Sequence, residues 1–154
     1  EQTAMGYAGV AAAKAVGRPR GIGTVDVYVA TASGLPAAEL LTGLQAVLQE
    51  KREIAVDVQV KAPTVQAVNL SAAILPAEGV AFSTAKAAAE QTLTAFFTGH
   101  LLAKPVRLAD LGHRLYVLPE VENYRISAPA EDLAASDTVL PVLGTLSVTE
   151  METE

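Results

Sequence analysis

Glu53-Ile-Ala-Val-Asp-Val-Gln-Val-Lys-Ala-Pro-Thr-Val-Gln-Ala-Val-Asn-Leu-Ser-Ala-Ala-Ile-Leu-Pro76 reads as two strands placed end to end with one proline between them. In residues 55–61, Val56, Val58 and Val60 alternate with Asp57, Gln59 and Lys61, so one face is apolar and the other meets water or a polar partner. In residues 65–75, Val68, Leu70, Ala72 and Ile74 alternate with Ala67, Asn69, Ser71 and Ala73, repeating the pattern beyond Pro63. Pro63 lacks an amide donor, fixes its own φ and pushes Ala62 toward extended geometry, so it interrupts the ladder without forcing a turn. It marks a joint.

Working outward toward the start, Thr24-Val-Asp-Val-Tyr-Val-Ala30 alternates strictly, with Val25, Val27 and Val29 opposite Asp26, Tyr28 and Ala30. Residues 10–16, VAAAKAV, lie between Gly9 and Gly17 and are read as a short strand, which the Arg18-Pro-Arg-Gly21 turn joins to the next as a hairpin. Ser33-Gly-Leu-Pro36 supplies a loop with proline at the first helical position, followed by Leu40, Leu41, Leu44, Val47 and Leu48 at helical spacing. Glu39 opens this helix and Lys51 and Arg52 close it, in accord with the macrodipole. The helix is predicted to lie on the sheet formed by the hairpin and residues 55–61. Gly43 inside it costs about 1 kcal/mol relative to alanine, which implies either close packing or tolerance. Residues 2–7 are too short to make an element alone.

Working outward toward the end, Pro76-Ala-Glu-Gly79 is a turn. Ser83 then caps a helix whose stripe is Ala85, Ala89, Leu93, Phe96 and Phe97, with Gly99 as its stop. After Lys104-Pro105 a shorter helix carries Leu108, Leu111, Leu115 and Leu118, and Pro119 ends it. Residues 121–127 follow as a strand, 128–140 as a polar loop and 143–149 as a last strand; the acidic tail 150–154 is expected to fray. Gly23-Thr-Val-Asp-Val27 also resembles Gly144-Thr-Leu-Ser-Val148, a weak internal repeat that predicts a shared strand unit. The fold class is α+β, with two small lobes, each a short mixed or antiparallel sheet covered by one or two helices. Residues 1–62 form a ββαβ core and residues 63–154 a βααββ lobe.

Composition narrows the function classes. Half of the 154 residues are hydrophobic, but alanine dominates and only seven are aromatic, so the core has few large anchors and stability is expected to be shared with partners. No cysteine is present, which removes disulfides, thiol nucleophiles and thiolate metal sites. A formal charge of −6 argues against a broad nucleic-acid footprint, and no apolar run approaches membrane-spanning length. The chain opens on Glu1 rather than Met and is read as a fragment or a processed chain.

Candidate chemistry is sparse. Ser83-Thr-Ala-Lys86 matches S-x-x-K, in which a lysine one turn on takes the proton of a helix-start serine. Its companion motifs are missing, and a cap beside a solvated lysine explains the same letters. Gly21-Ile-Gly23 precedes a strand, whereas a dinucleotide fingerprint follows one, so it is read as a turn. Arg18 and Arg20 suit a phosphate or a partner's carboxylate, against the plainer reading of a solvated turn. His100 and His113 have no further ligand at metal spacing. Glu120 and Glu122 share a strand face and are read as solvated. Neither a catalytic residue nor a cofactor nor a metal is expected.

With these residues laid out, the chain resembles the C-terminal part of the phage baseplate J-like family, the wedge proteins of contractile tails. The resemblance rests on Val16-Gly-Arg-Pro-Arg-Gly-Ile-Gly-Thr-Val-Asp-Val-Tyr-Val29, the helix over 36–48 and Arg52-Glu-Ile-Ala-Val-Asp-Val-Gln-Val-Lys-Ala-Pro63. It continues through Pro76-Ala-Glu-Gly79, Lys104-Pro-Val106, residues 116–124, Ser127-Ala-Pro129 and Leu140-Pro-Val-Leu-Gly-Thr145. It departs at Val80-Ala-Phe82 and around His100, and a further N-terminal region of the family is missing, so the first lobe is read as truncated. The resemblance implies a structural subunit that contacts other wedge and hub proteins and associates with itself in a six-fold ring; the acidic charge and the lack of a long apolar run lead to the expectation of neither nucleic acid nor membrane as a partner. It implies a place in the virion tail baseplate, or in that of a phage-tail-like particle, after assembly in the bacterial host cytoplasm. The expected interface is the 128–140 loop with Glu131, Asp132 and Asp137, the 18–21 turn with Arg18 and Arg20, and the open sheet edges. The alternatives from other classes are a serine hydrolase using Ser83 and Lys86, and a small-ligand binding module.

Overall fold

The computed structural model describes residues 1–151, and the chain divides into two compact units. The first comprises Glu1–Gln66, Thr98–Lys104 and Ala135–Leu140; the second comprises Ala67–Phe97, Pro105–Ala134 and Pro141–Glu154.

In the first unit a short helix α1 (Gln2–Met5) leads to strands β1 (Ala12–Gly17) and β2 (Thr24–Ala30), helix α2 (Ala38–Lys51) and strand β3 (Asp57–Lys61). β2 lies in the middle, antiparallel to β1 and parallel to β3, and α2 supplies the crossover that parallel neighbours require. The alternation read from the sequence sets the two faces. Val27 and Val29 of β2 and Val58 of β3 meet Leu44 of α2 and Ala4 of α1 in one buried cluster, while Asp26, Asp57 and Lys61 belong to the other set. Gly43 is a close-packing position, because a Cβ there would stand 2.2 Å from the Tyr7 hydroxyl oxygen. α2 starts with Ala37 at its N-cap, so Pro36 precedes the helix instead of opening it; its fixed φ shapes the entry. Residues 2–7, expected to form nothing alone, include α1, which packs on α2 and β1.

In the second unit β4 (Thr64–Pro76), which begins just before the unit boundary, is the central strand. Val68, Leu70, Ala72 and Ile74 are its buried set, as the alternation requires. Helices α3 (Phe82–Phe96) and α4 (Leu108–Tyr116) pack on each other, and β5 (Val121–Ala128) runs antiparallel to β4. β6 (Val139–Glu150) is the other neighbour of β4. Thr64 N–H bonds Thr138 O and Met151 N–H bonds Ile74 O, while Thr145 N–H bonds Asn69 Oδ1; the partners advance together, so β6 is parallel to β4. Both sheets are mixed, and the fold is α+β.

Four readings change. The cap of α3 is Ala81, without a side-chain bond, and Ser83 lies inside the first turn. The helix stops at Phe96, and Gly99 begins a separate 3-10 turn, Gly99–Leu101. β6 starts four residues before the predicted strand, because Val139 and Leu140 already pair. The Gly-Thr repeat has no structural counterpart: Gly23 precedes a central strand, whereas Gly144 lies inside an outer one against the Asn69 side chain. The frayed tail expected over 150–154 falls partly outside the described residues, beyond Met151.

Candidate assembly surfaces

The polar face of the first sheet carries the strongest electrostatic feature. Asp26 is 1% exposed and is the buried charged residue among those described. Alternation puts its carboxylate on the face away from α2, where Arg20 Nε donates to Oδ1 at 3.1 Å and Lys61 Nζ donates to Oδ2. Arg20 Nη1 also donates to Asp57, joining the hairpin turn to the start of β3. Burial pushes the Asp26 carboxyl upward, but the hydrogen bonds and charges of Lys61 and Arg20 outweigh it and hold the group below the ordinary aspartate value. The cluster is closed on itself: Arg20, though exposed, gives its guanidinium to carboxylates of its own chain and is not a free anion ligand.

Arg18 differs. It has φ +62°, an uncommon conformation outside glycine, and its N–H closes the hairpin on Thr24 O at 2.7 Å. Its exposed side chain has no ion-pair partner among the described residues. Asp137 is exposed and 3.5 Å from Lys14. Asp132 accepts Leu108 N–H at 2.8 Å, and so caps α4, whose own N-cap Arg107 makes no side-chain bond. Glu131 beside it is exposed. The five predicted interface residues are therefore dispersed over two units, and two of them, Arg20 and Asp132, have internal structural work.

Lys86 lies 3.8 Å from Glu90, one turn away on α3, and Ser83 is exposed. His100 belongs to the first unit and His113 to the second, where it lines an open groove with Phe96, Asp110, Arg114 and Val117. Glu120 gives its carbonyl to Ala77 N–H, while Glu122 is exposed. Among the described residues no three His, Cys, Asp or Glu side chains gather as a metal site, and no helix is long and apolar enough to cross a membrane.

Two features escaped the sequence reading. Ile22 is 93% exposed and Ile54 is 100% exposed, at the hairpin tip and in the connection from α2 to β3. An isoleucine between two glycines was the available signal. The other is the Gln45 carboxamide, which accepts Val60 N–H at 2.7 Å and donates to Val58 O at 2.8 Å along the outer edge of β3.

Comparison with known proteins follows this architecture. Residues 1–62 match the Baseplate J-like central domain, and residues 68–149 match the Baseplate J-like protein C-terminal domain. A search of curated proteins gives no match. Among solved structures, the chain is similar to one in the cryo-EM structure of the anti-feeding prophage (AFP) baseplate, 6-fold symmetrised. The two are 12% identical with a TM-score of 0.64; the likeness covers 91% of this chain and 35% of that one, so this chain spans about a third of that protein's length. The chain belongs to the Baseplate J-like family and carries its central and C-terminal domains in sequence order.

Proposed function

We propose that the chain works by protein–protein contact and not by catalysis, as a wedge component of the baseplate of a contractile phage tail or phage-tail-like particle. The observation that carries this reading is the consecutive match of the central and C-terminal domains over nearly all of the described chain. The fold likeness to a protein of a six-fold symmetrised baseplate supports partners among other wedge and hub proteins, with copies of this chain repeated around a six-fold ring. Residues 1–62 and 63–154 serve as separate modules, each offering its own surface, and assembly takes place in the bacterial host cytoplasm. Within those surfaces Arg18, Glu131 and Asp137 are contact residues, while Arg20 and Asp132 hold the surfaces in shape. The reading is tested by co-producing the chain with the other baseplate proteins of its particle and isolating the complex. Retention of the chain through purification, with loss of incorporation when Arg18, Glu131 and Asp137 are replaced together, is the expected result. A chain that remains monomeric beside complete baseplates would refute it.

A further inference from the structure

Two stretches that lie within the C-terminal domain match, Thr98–Lys104 and Ala135–Leu140, belong to the first unit. The match to the central domain ends at residue 62, so the first unit is built from more sequence than that domain supplies. The earlier stretch lies against β1 and the end of β2. Gly99 N–H bonds Ala32 O at 3.4 Å, and a Cβ on Gly99 would stand 1.7 Å from Thr31 O and 3.1 Å from Ala30 Cβ. Only glycine admits so close a backbone approach. Leu101 and Leu102, which follow it, are buried. The later stretch is tied at three points. Thr64 N–H bonds Thr138 O at 2.9 Å, Asp137 lies 3.5 Å from Lys14 of β1, and Val139 O accepts Ala103 N–H at 3.2 Å, which joins the two stretches to each other. Leu140 is fully buried.

A sheet needs cover for each apolar part of its faces. In the first unit α1 and α2 cover the Val27, Val29 and Val58 side. By alternation Ala30 points the other way, yet it is fully buried, with Gly99 against it. Residues 1–62 alone would leave that alanine bare and the Ala32 carbonyl without Gly99. We infer that Thr98–Lys104 and Ala135–Leu140 are straps through which the C-terminal part of the chain controls the form of the central domain: the β1–β2 layer keeps its native packing only while the straps are in place. This goes beyond the baseplate reading and stands without it. Applied to that reading, it makes the Arg18 surface ready for partners only after synthesis has passed Leu140.

The test is native-state hydrogen exchange of the whole chain in low urea, followed residue by residue by NMR. Amides that open together share one urea dependence. The Gly99, Leu102 and Ala103 amides are expected to open with those of β1 and β2, separately from those of β4 and β5. Opening with β4 and β5 instead, in one transition with both sheets, or ahead of both, overturns the inference. Gly99→Ala then separates control from membership. It should lower protection of the β1–β2 amides at least about ten-fold and leave the β4–β5 amides within about two-fold of wild type. Loss of protection in both sheets, or in neither, overturns the inference, and neither result bears on whether the chain enters a baseplate.

Discussion

At the scale of the residue, Asp26 shows how a single carboxylate organises the first unit. Its neighbours in the sequence announce a strand, but its burial depends on Arg20 and Lys61, which are six and 35 positions away. Alternation gives its face and cannot reveal its partners. Removing one member of a buried ionic cluster costs about 3–5 kcal/mol, and the cost is smaller here because Arg20 and Lys61 are 29% and 37% exposed and water screens them. Asp26→Asn should therefore lower stability by about 1–3 kcal/mol at pH 7, read by urea denaturation. Because the folded carboxyl titrates below its ordinary value, its contribution is fully present above the unfolded pKa and is lost as pH falls through the folded one. The deficit of Asp26→Asn should thus shrink below about pH 4; a deficit that stays constant to pH 2 would show that charge is not its cause. Glycines divide in the same way between side-chain and backbone neighbours. A Cβ on Gly99 would stand 1.7 Å from the Thr31 carbonyl oxygen, whereas one on Gly43 meets only the Tyr7 ring. Gly99→Ala should cost more than about 3 kcal/mol by forcing backbone apart. Gly43→Ala should stay within about 1 kcal/mol of wild type, since helix propensity offsets a displaced tyrosine; thermal unfolding of the pair checks the ranking.

At the scale of the element, the strands were the legible part. Alternation around Pro63 located β3 and the buried face of β4, and hairpin chemistry located β1 and β2, because a two-residue period is a local property of the chain. Helix ends and strand edges were less legible because their hydrogen bonds come from elsewhere. The first free amide of α4 is satisfied by Asp132, 24 residues away, and no pattern around Leu108 signals it. Asp132→Ala should therefore destabilise the chain by about 1 kcal/mol, while Glu131→Ala leaves it unchanged within about 0.5 kcal/mol. Equal melting temperatures for the two variants would contradict the capping role. The outer edge of β3 is closed by Gln45, whose carboxamide makes the donor and acceptor bonds that one residue of a parallel neighbour would make. Gln49 adds a second donor to Val58 O at 3.2 Å. An open strand edge invites pairing with another chain. Gln45→Ala should cost about 1–2 kcal/mol and raise light scattering on storage; unchanged scattering would mean that Gln49 or the helix itself shields the edge.

At the scale of the whole molecule, the family was legible before the sites were. Weak motifs in a fixed order carried the resemblance, and the domain matches cover the same two stretches. Tertiary placement was hardly legible: Arg20 and Asp132 look like free surface charges in the sequence but bond partners within their own chain, whereas the apolar Ile22 and Ile54 face water. The charge is unevenly divided as well. The first unit holds seven basic and seven acidic side chains and the second holds four and ten, so the whole net charge of −6 belongs to the second. Contacts made by the second unit should therefore be the ones that added salt alters most. The central claim, that this chain is a structural part of a contractile-tail baseplate, is tested most directly by single-particle electron microscopy of purified particles. The account predicts density for both three-stranded sheets and their helices, repeated around the baseplate ring. Complete baseplates with no such density, in particles whose cells contain the folded chain, would contradict it.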